Sequence, residues 1–111
     1  MKLYFLNSAV ITAEGVYEYK ILNNVTELQQ AFRKLLPQAD EVISRVGYKS
    51  TIQHIKQILN ISLPLSREKL VMEQGDVALV IRLKYRVQDP KQKGELTPSA
   101  GDWEYGILRK R

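Results

Sequence analysis

Arg82, Lys84 and Arg86 take alternate positions in the run from Val77 to Val87, whose other alternate set is Val77, Leu79, Ile81, Leu83, Tyr85 and Val87. Same-face side chains on a strand recur roughly every 6.6–6.8 Å. The pattern therefore sets three cations in a one-sided ladder at a pitch comparable with successive phosphates of a nucleic-acid strand. Such a ladder suits phosphate oxygens, which guanidinium groups bind through charge-assisted hydrogen bonds. The same charges would also protect an edge strand from aggregation, so both readings stand at this point. A second anion signal is Gly47-Tyr48-Lys49-Ser50-Thr51, between an expected strand and an expected helix. A helix start presents free N–H groups and a positive partial charge. Gly47 permits close backbone approach, and Lys49, Ser50 and Thr51 supply donors. The Walker spacing is absent, and an ordinary capped turn fits the same residues.

Other chemistries are excluded by composition. The chain has no cysteine and one histidine, His54. That removes a disulfide framework, thiol-ligated zinc or iron–sulfur clusters, and a histidine-rich metal centre within one chain. Cysteine- and serine-hydrolase mechanisms lose their usual nucleophile or base. Seventeen Lys and Arg against twelve Asp and Glu leave a formal charge of +5, with a pI near 9.5. This excess favours an anionic partner: nucleic acid, nucleotide or phosphate. No apolar run approaches the roughly 18 residues that cross a bilayer. The opening Met1–Leu6 turns polar at Asn7, too soon for a signal peptide. The expectation is a domain of a reducing compartment, the cytoplasm, with no metal, no cofactor and no membrane association.

The elements that must position these residues follow from periodicity. With 111 residues the chain makes one domain with one core. Leu3–Leu6 reads as a short buried strand and Val16–Ile21 as a second. Asn24 followed by Glu27 marks a helix start, and Leu28, Ala31, Phe32, Leu35 and Leu36 recur at helical spacing until Pro37. Glu41–Val46 is a short strand. Ser50–Leu59 is a second helix with an apolar stripe of Ile52, Ile55, Ile58 and Leu59, capped near Ser50 or Thr51, and His54 off the stripe facing solvent. Lys69–Glu73 and Val77–Val87 read as strands of a hairpin joined by Gln74-Gly75-Asp76. Residues 89–94 and 97–102 are polar loop. Trp103–Leu108 is a last strand, followed by a basic tail, Arg109-Lys110-Arg111. The class is α+β: a mixed, mostly antiparallel sheet flanked by helices.

Taken in order, Leu6-Asn7-Ser8, Val46-Gly47-Tyr48-x-Ser50-Thr51, Pro64-x-x-Arg67, Gly75-Asp76-x-Ala78-Leu79-Val80, Arg82-Leu83-Lys84-x-Arg86 and Glu104-Tyr105-Gly106-Ile107-Leu108 resemble one family over nearly the whole chain. It is that of the small anti-CRISPR ring nucleases of archaeal viruses, phages and bacterial mobile elements. The resemblance implies a homodimer that binds cyclic tetra-adenylate across its interface. It also implies metal-independent cleavage to linear di-adenylate with a 2′,3′-cyclic phosphate, which silences type III CRISPR signalling. Carried over residue by residue, Arg86 matches the arginine set against the reacting phosphate, and Arg67 a second arginine that holds ligand backbone. Asp89 stands where the family has a glutamate, one methylene longer. Asn7 and Ser8 correspond to a loop lining the pocket.

The chain departs from the family after Gly47. There the family has a histidine that acts as general acid toward the leaving 5′-oxygen, and this chain has Tyr48. Imidazole, with pKa near 6.5, exchanges protons readily around neutrality, whereas a phenol with pKa about 10 is poorly matched to that task. Tyr48 can still stack on adenine or bond a phosphate oxygen. Two readings thus share the scaffold: a slow nuclease with Tyr48, Arg86 and Asp89 at its centre, and a sponge that binds the ring uncut. Arg82 and Lys84 add ligand contacts in either. A third, from another class, is a small basic nucleic-acid-binding regulator, whose affinity would fall steeply with salt. No helix-turn-helix or zinc pattern supports stable duplex binding.

Overall fold

The computed structural model describes residues 1–84 and 102–111. Strand β1 (Lys2–Leu6) is buried on both faces, Leu3 and Phe5 on one side and Tyr4 and Leu6 on the other. A continuous apolar run of this kind marks an interior strand, and β1 pairs in parallel with both β3 (Glu41–Arg45) and β4 (Val77–Leu83). Strand β5 (Trp103–Lys110) lies antiparallel between β4 and β2 (Tyr17–Leu22). The order is β2-β5-β4-β1-β3. The single-domain mixed sheet matches the sequence expectation, with its pairings divided evenly between parallel and antiparallel among the described residues.

Helix α1 (Val25–Leu35) starts as its capping residues predict. Asn24 Oδ1 accepts the Glu27 N–H at 3.0 Å, and Glu27 Oε2 accepts the Asn23 N–H at 2.9 Å. Leu28, Phe32 and Leu35 are buried, with Phe32 edge-on to Phe5 at 5.9 Å between ring centroids. Helix α2 (Lys49–Leu59) packs through Ile55 into the same core, so both helices cover one face of the sheet.

Four expectations change. Residues 69–73 form no strand and no hairpin arm, since β4 pairs with β1 and β5. They belong to a strap across the helix-free face, where Leu70 and Met72 pack on Tyr4, Leu6, Ala78, Val80 and Leu108. Tyr4 Oη donates to the Val71 carbonyl oxygen at 3.0 Å, Lys110 Nζ to that of Met72 at 2.9 Å, and Thr12 Oγ1 to that of Leu70. The turn signal is nevertheless real: Gly75 has φ +91°, which favours glycine, and it redirects the strap into β4. Secondly, Arg109 and Lys110 are not a tail but the end of β5, paired across to Glu18 and Tyr17. Thirdly, the N-cap of α2 is Tyr48, without a side-chain cap bond.

The fourth concerns His54, which does not face solvent. Its ring stacks on Trp103, and Nε2 lies 2.8 Å from Tyr105 Oη. At about 100° per residue, position 54 lies only about 40° from Ile58. The packed arc of α2 is therefore wider than its aliphatic stripe, and imidazole fills its margin.

Candidate anion-binding site at the ends of the parallel strands

Because β3, β1 and β4 run parallel, their carboxyl ends share one edge of the sheet. In sheets with parallel strands this edge is where ligands bind, since loops and helix starts collect there. Asn7 and Ser8 follow β1, Gly47 and Tyr48 follow β3, and Lys84 follows β4.

Three distant stretches of chain meet here. Asn7 Oδ1 accepts the Gly47 N–H at 3.2 Å. Ser66 N–H donates to the Val46 carbonyl oxygen at 2.9 Å, which draws the strap alongside the β3–α2 junction. The stem of Arg67 then crosses Gly47 closely: a methyl group at position 47 would sit 3.3 Å from Arg67 Cγ and 3.7 Å from its Nε. Glycine is thus set by the approach of Arg67, since its φ is unexceptional. The sequence signals Asn7-Ser8, Gly47-Tyr48 and Arg67 become one constellation.

The start of α2 adds positive potential. The first α-helical bond runs from Ile52 N–H to the Tyr48 carbonyl oxygen at 3.2 Å. The amides of Lys49, Ser50 and Thr51 thus belong to the unsatisfied first turn, and no acidic residue stands in that turn. Lys49 is exposed, Ser50 half-buried and Tyr48 38% exposed. Thr51 is only 2% exposed, so its hydroxyl is withdrawn into the interior rather than offered to a ligand.

The cation ladder is modified by its surroundings. β4 lies between β5 and β1, so its charges do not guard a sheet edge. Arg82 pairs with Glu104 at 3.0 Å, which offsets its charge, while Lys84 is exposed. Arg86 and Asp89 lie outside the described residues. Among the described residues no cluster of His, Asp and Glu could hold a metal ion, and no helix is long and apolar enough to cross a membrane.

Sequence reasoning missed two residues at or beside this edge. Arg45, the last residue of β3, faces Glu68 of the strap; its signal was its place just before the Gly47 junction. His54 was missed because its partners are remote in sequence.

Comparison with known proteins bears on the whole chain. Residues 3–99 match the family model described as STIV B116-like. "Uncharacterized protein 26" of Sulfolobus islandicus filamentous virus (isolate Iceland/Hveragerdi) is 32% identical over 89 residues, spanning 80% of this chain and 74% of that one. The solved structure of B116 of Sulfolobus turreted icosahedral virus is similar in fold, with a TM-score of 0.70 over 97% of this chain and 98% of that one, at 17% identity. The chain therefore belongs to the STIV B116-like family, whose relatives named here are Sulfolobus virus proteins.

Proposed function

We propose that this viral protein binds cyclic tetra-adenylate as a homodimer in the host cytoplasm and cleaves it to linear di-adenylate, countering type III CRISPR signalling. The observation that carries the reading is the convergence of Asn7, Gly47 and Arg67 beside the uncompensated start of α2. Backbone N–H groups and a guanidinium are the donors that a ribose–phosphate backbone needs. Two copies, each of charge +5, attract a ring carrying four phosphates.

The chemistry is an internal transesterification. A ribose 2′-oxygen attacks its own 3′-phosphorus, the P–O5′ bond breaks, and the products are a 2′,3′-cyclic phosphate and a free 5′-hydroxyl. The 2′-hydroxyl loses one proton and the leaving 5′-oxygen gains one. Arg86 steadies charge on the phosphoryl oxygens, Asp89 orients the arginine or the 2′-hydroxyl, and Tyr48 is the proton donor nearest the family's histidine position. Arg67, Lys49 and the amides of residues 49 and 50 hold the backbone.

A specific observation favours a second reading, a sponge that sequesters the ring. Tyr48 replaces the acid, and the chain's one imidazole is engaged with Trp103 and Tyr105. Single-turnover mixing of excess protein with labelled cyclic tetra-adenylate, without added metal, separates the cases. Linear product establishes the nuclease. An intact ring that co-elutes with protein establishes the sponge. A ring that elutes free refutes both.

A further inference from the structure

Arg45 plays no part in the constellation around Gly47. It lies in register with Leu6 on the sheet face opposite the helices. There it lines a cavity of about 240 Å³ together with Asn7, Ser8, Thr12, Glu68, Lys69 and Leu70. One corner of its guanidinium is satisfied, with Nη1 donating to the Ser44 carbonyl oxygen at 3.0 Å. The opposite edge is not. Nη2 stands 3.5 Å from Glu68 Oε2, longer than a normal charge-assisted bond. Nε is shielded from solvent and has no hydrogen-bond partner among the described residues. Shielded donors are nearly always satisfied in folded proteins, so this one signals an absent acceptor.

We infer that this cavity is an oxyanion site that takes a phosphate group, with Glu68 as the internal competitor that faces Arg45 while the site is empty. The Nε and Nη2 edge of a guanidinium offers two parallel N–H donors, which match two oxygens of a phosphate. Glu68 approaches only one of them, and its side chain is 77% exposed, so little holds it in place. Lys69 and the Ser8 hydroxyl line the same cavity and can serve the remaining oxygens. Glu68 leaves by rotating toward the solvent that already surrounds it. The cavity shares Asn7 and Ser8 with the edge assigned to the ring, and Arg45, on the sheet face away from α2, is what sets it apart.

The test is an amide-resolved NMR titration of the full chain with inorganic phosphate. Saturable shifts are expected at Ser8, Glu68, Lys69 and Leu70. Glu68→Gln removes the competitor and lowers the dissociation constant for those shifts about two- to fivefold, the range of an exposed ion pair. Arg45→Lys keeps the charge but loses the fork, and weakens the same shifts while the other amides show the fold intact. The site is overturned by any of three results: no saturable shift at these amides in either the wild type or Glu68→Gln, an Arg45→Lys titration equal to wild type, or a Glu68→Gln variant that binds no tighter.

Discussion

His54 lies face to face on Trp103, with ring centroids 4.2 Å apart and planes 4° from parallel, while its Nε2 meets Tyr105 Oη at 2.8 Å. A residue of α2 is thereby tied to the first and third residues of β5. Burial disfavours the imidazolium and lowers the pKa of His54 below its ordinary 6.5. The unfolded chain then takes up a proton before the folded one does. This contribution to stability is complete above about pH 6.5 and declines as pH falls toward the depressed folded value. Urea denaturation followed by Trp103 fluorescence should show the midpoint dropping between about pH 7.5 and pH 5.5. In His54→Phe the same interval should be flat. Glu18 is held below its ordinary range by Arg111, Glu27 by Asn23, and Asp40 by the chain's amino terminus. Their contributions are lost only at more acidic pH, outside that window.

Gly47→Ala tests the packing of Arg67. The new methyl meets Arg67 Cγ at 3.3 Å and the Ser66 carbonyl oxygen at 3.8 Å, a contact relieved by moving the arginine stem. Thermal stability should therefore change little, while affinity for cyclic tetra-adenylate falls about tenfold or more. That is the scale on which hydrogen bonds to a charged group are lost. Arg67→Gln should weaken binding by a similar amount. If the alanine variant bound as tightly as wild type, Arg67 would not be a ligand residue.

Asn7→Ala removes the acceptor of the Gly47 N–H. A stability loss of about 1 kcal/mol is expected in urea titration, with Asn7→Asp restoring most of it by keeping an acceptor. Ring binding should weaken alongside, since the β3–α2 junction loses its tether to β1.

Tyr48→His restores an imidazole at the position where the resembled family has its acid. Single-turnover cleavage should rise about 10²–10⁴-fold, the usual contribution of general acid–base catalysis, with a pH profile acquiring an inflection near 6.5. An unchanged rate would mean that Tyr48 is not what limits cleavage.

Asp76→Ala serves as a control at the opposite end of the sheet. Asp76 is 4% exposed and accepts the N–H groups of Lys2 and Glu73, each at 2.9 Å. Its removal orphans two backbone donors where the strap enters β4. The expected cost is about 3 kcal/mol in chemical denaturation, with ligand affinity unchanged at temperatures where the variant stays folded.

Local chemistry made much of this legible in the chain. Asn24 and Glu27 announce the start of α1, because a cap bond spans only three residues, and Leu28, Phe32 and Leu35 announce its buried face. The apolar runs of β1 and β4 declare interior strands. Gly47-Tyr48 and Asn7-Ser8 stand out as junction residues wherever they are later brought. Remote pairing is what the chain does not spell out. A short apolar run such as Leu70-Val71-Met72 within Lys69–Glu73 has the composition of a strand, yet β1 and β5 had already taken both edges of β4. The segment was left to cover the sheet instead of joining it. His54 and Trp103, 49 positions apart, meet because α2 crosses the sheet where β5 begins. Arg45 and Arg67 come to the same edge because β1 and β3 run parallel and the strap returns past the end of β3. Periodicity tells a side chain which way to face along its own element; only the packing of elements against one another supplies what it faces.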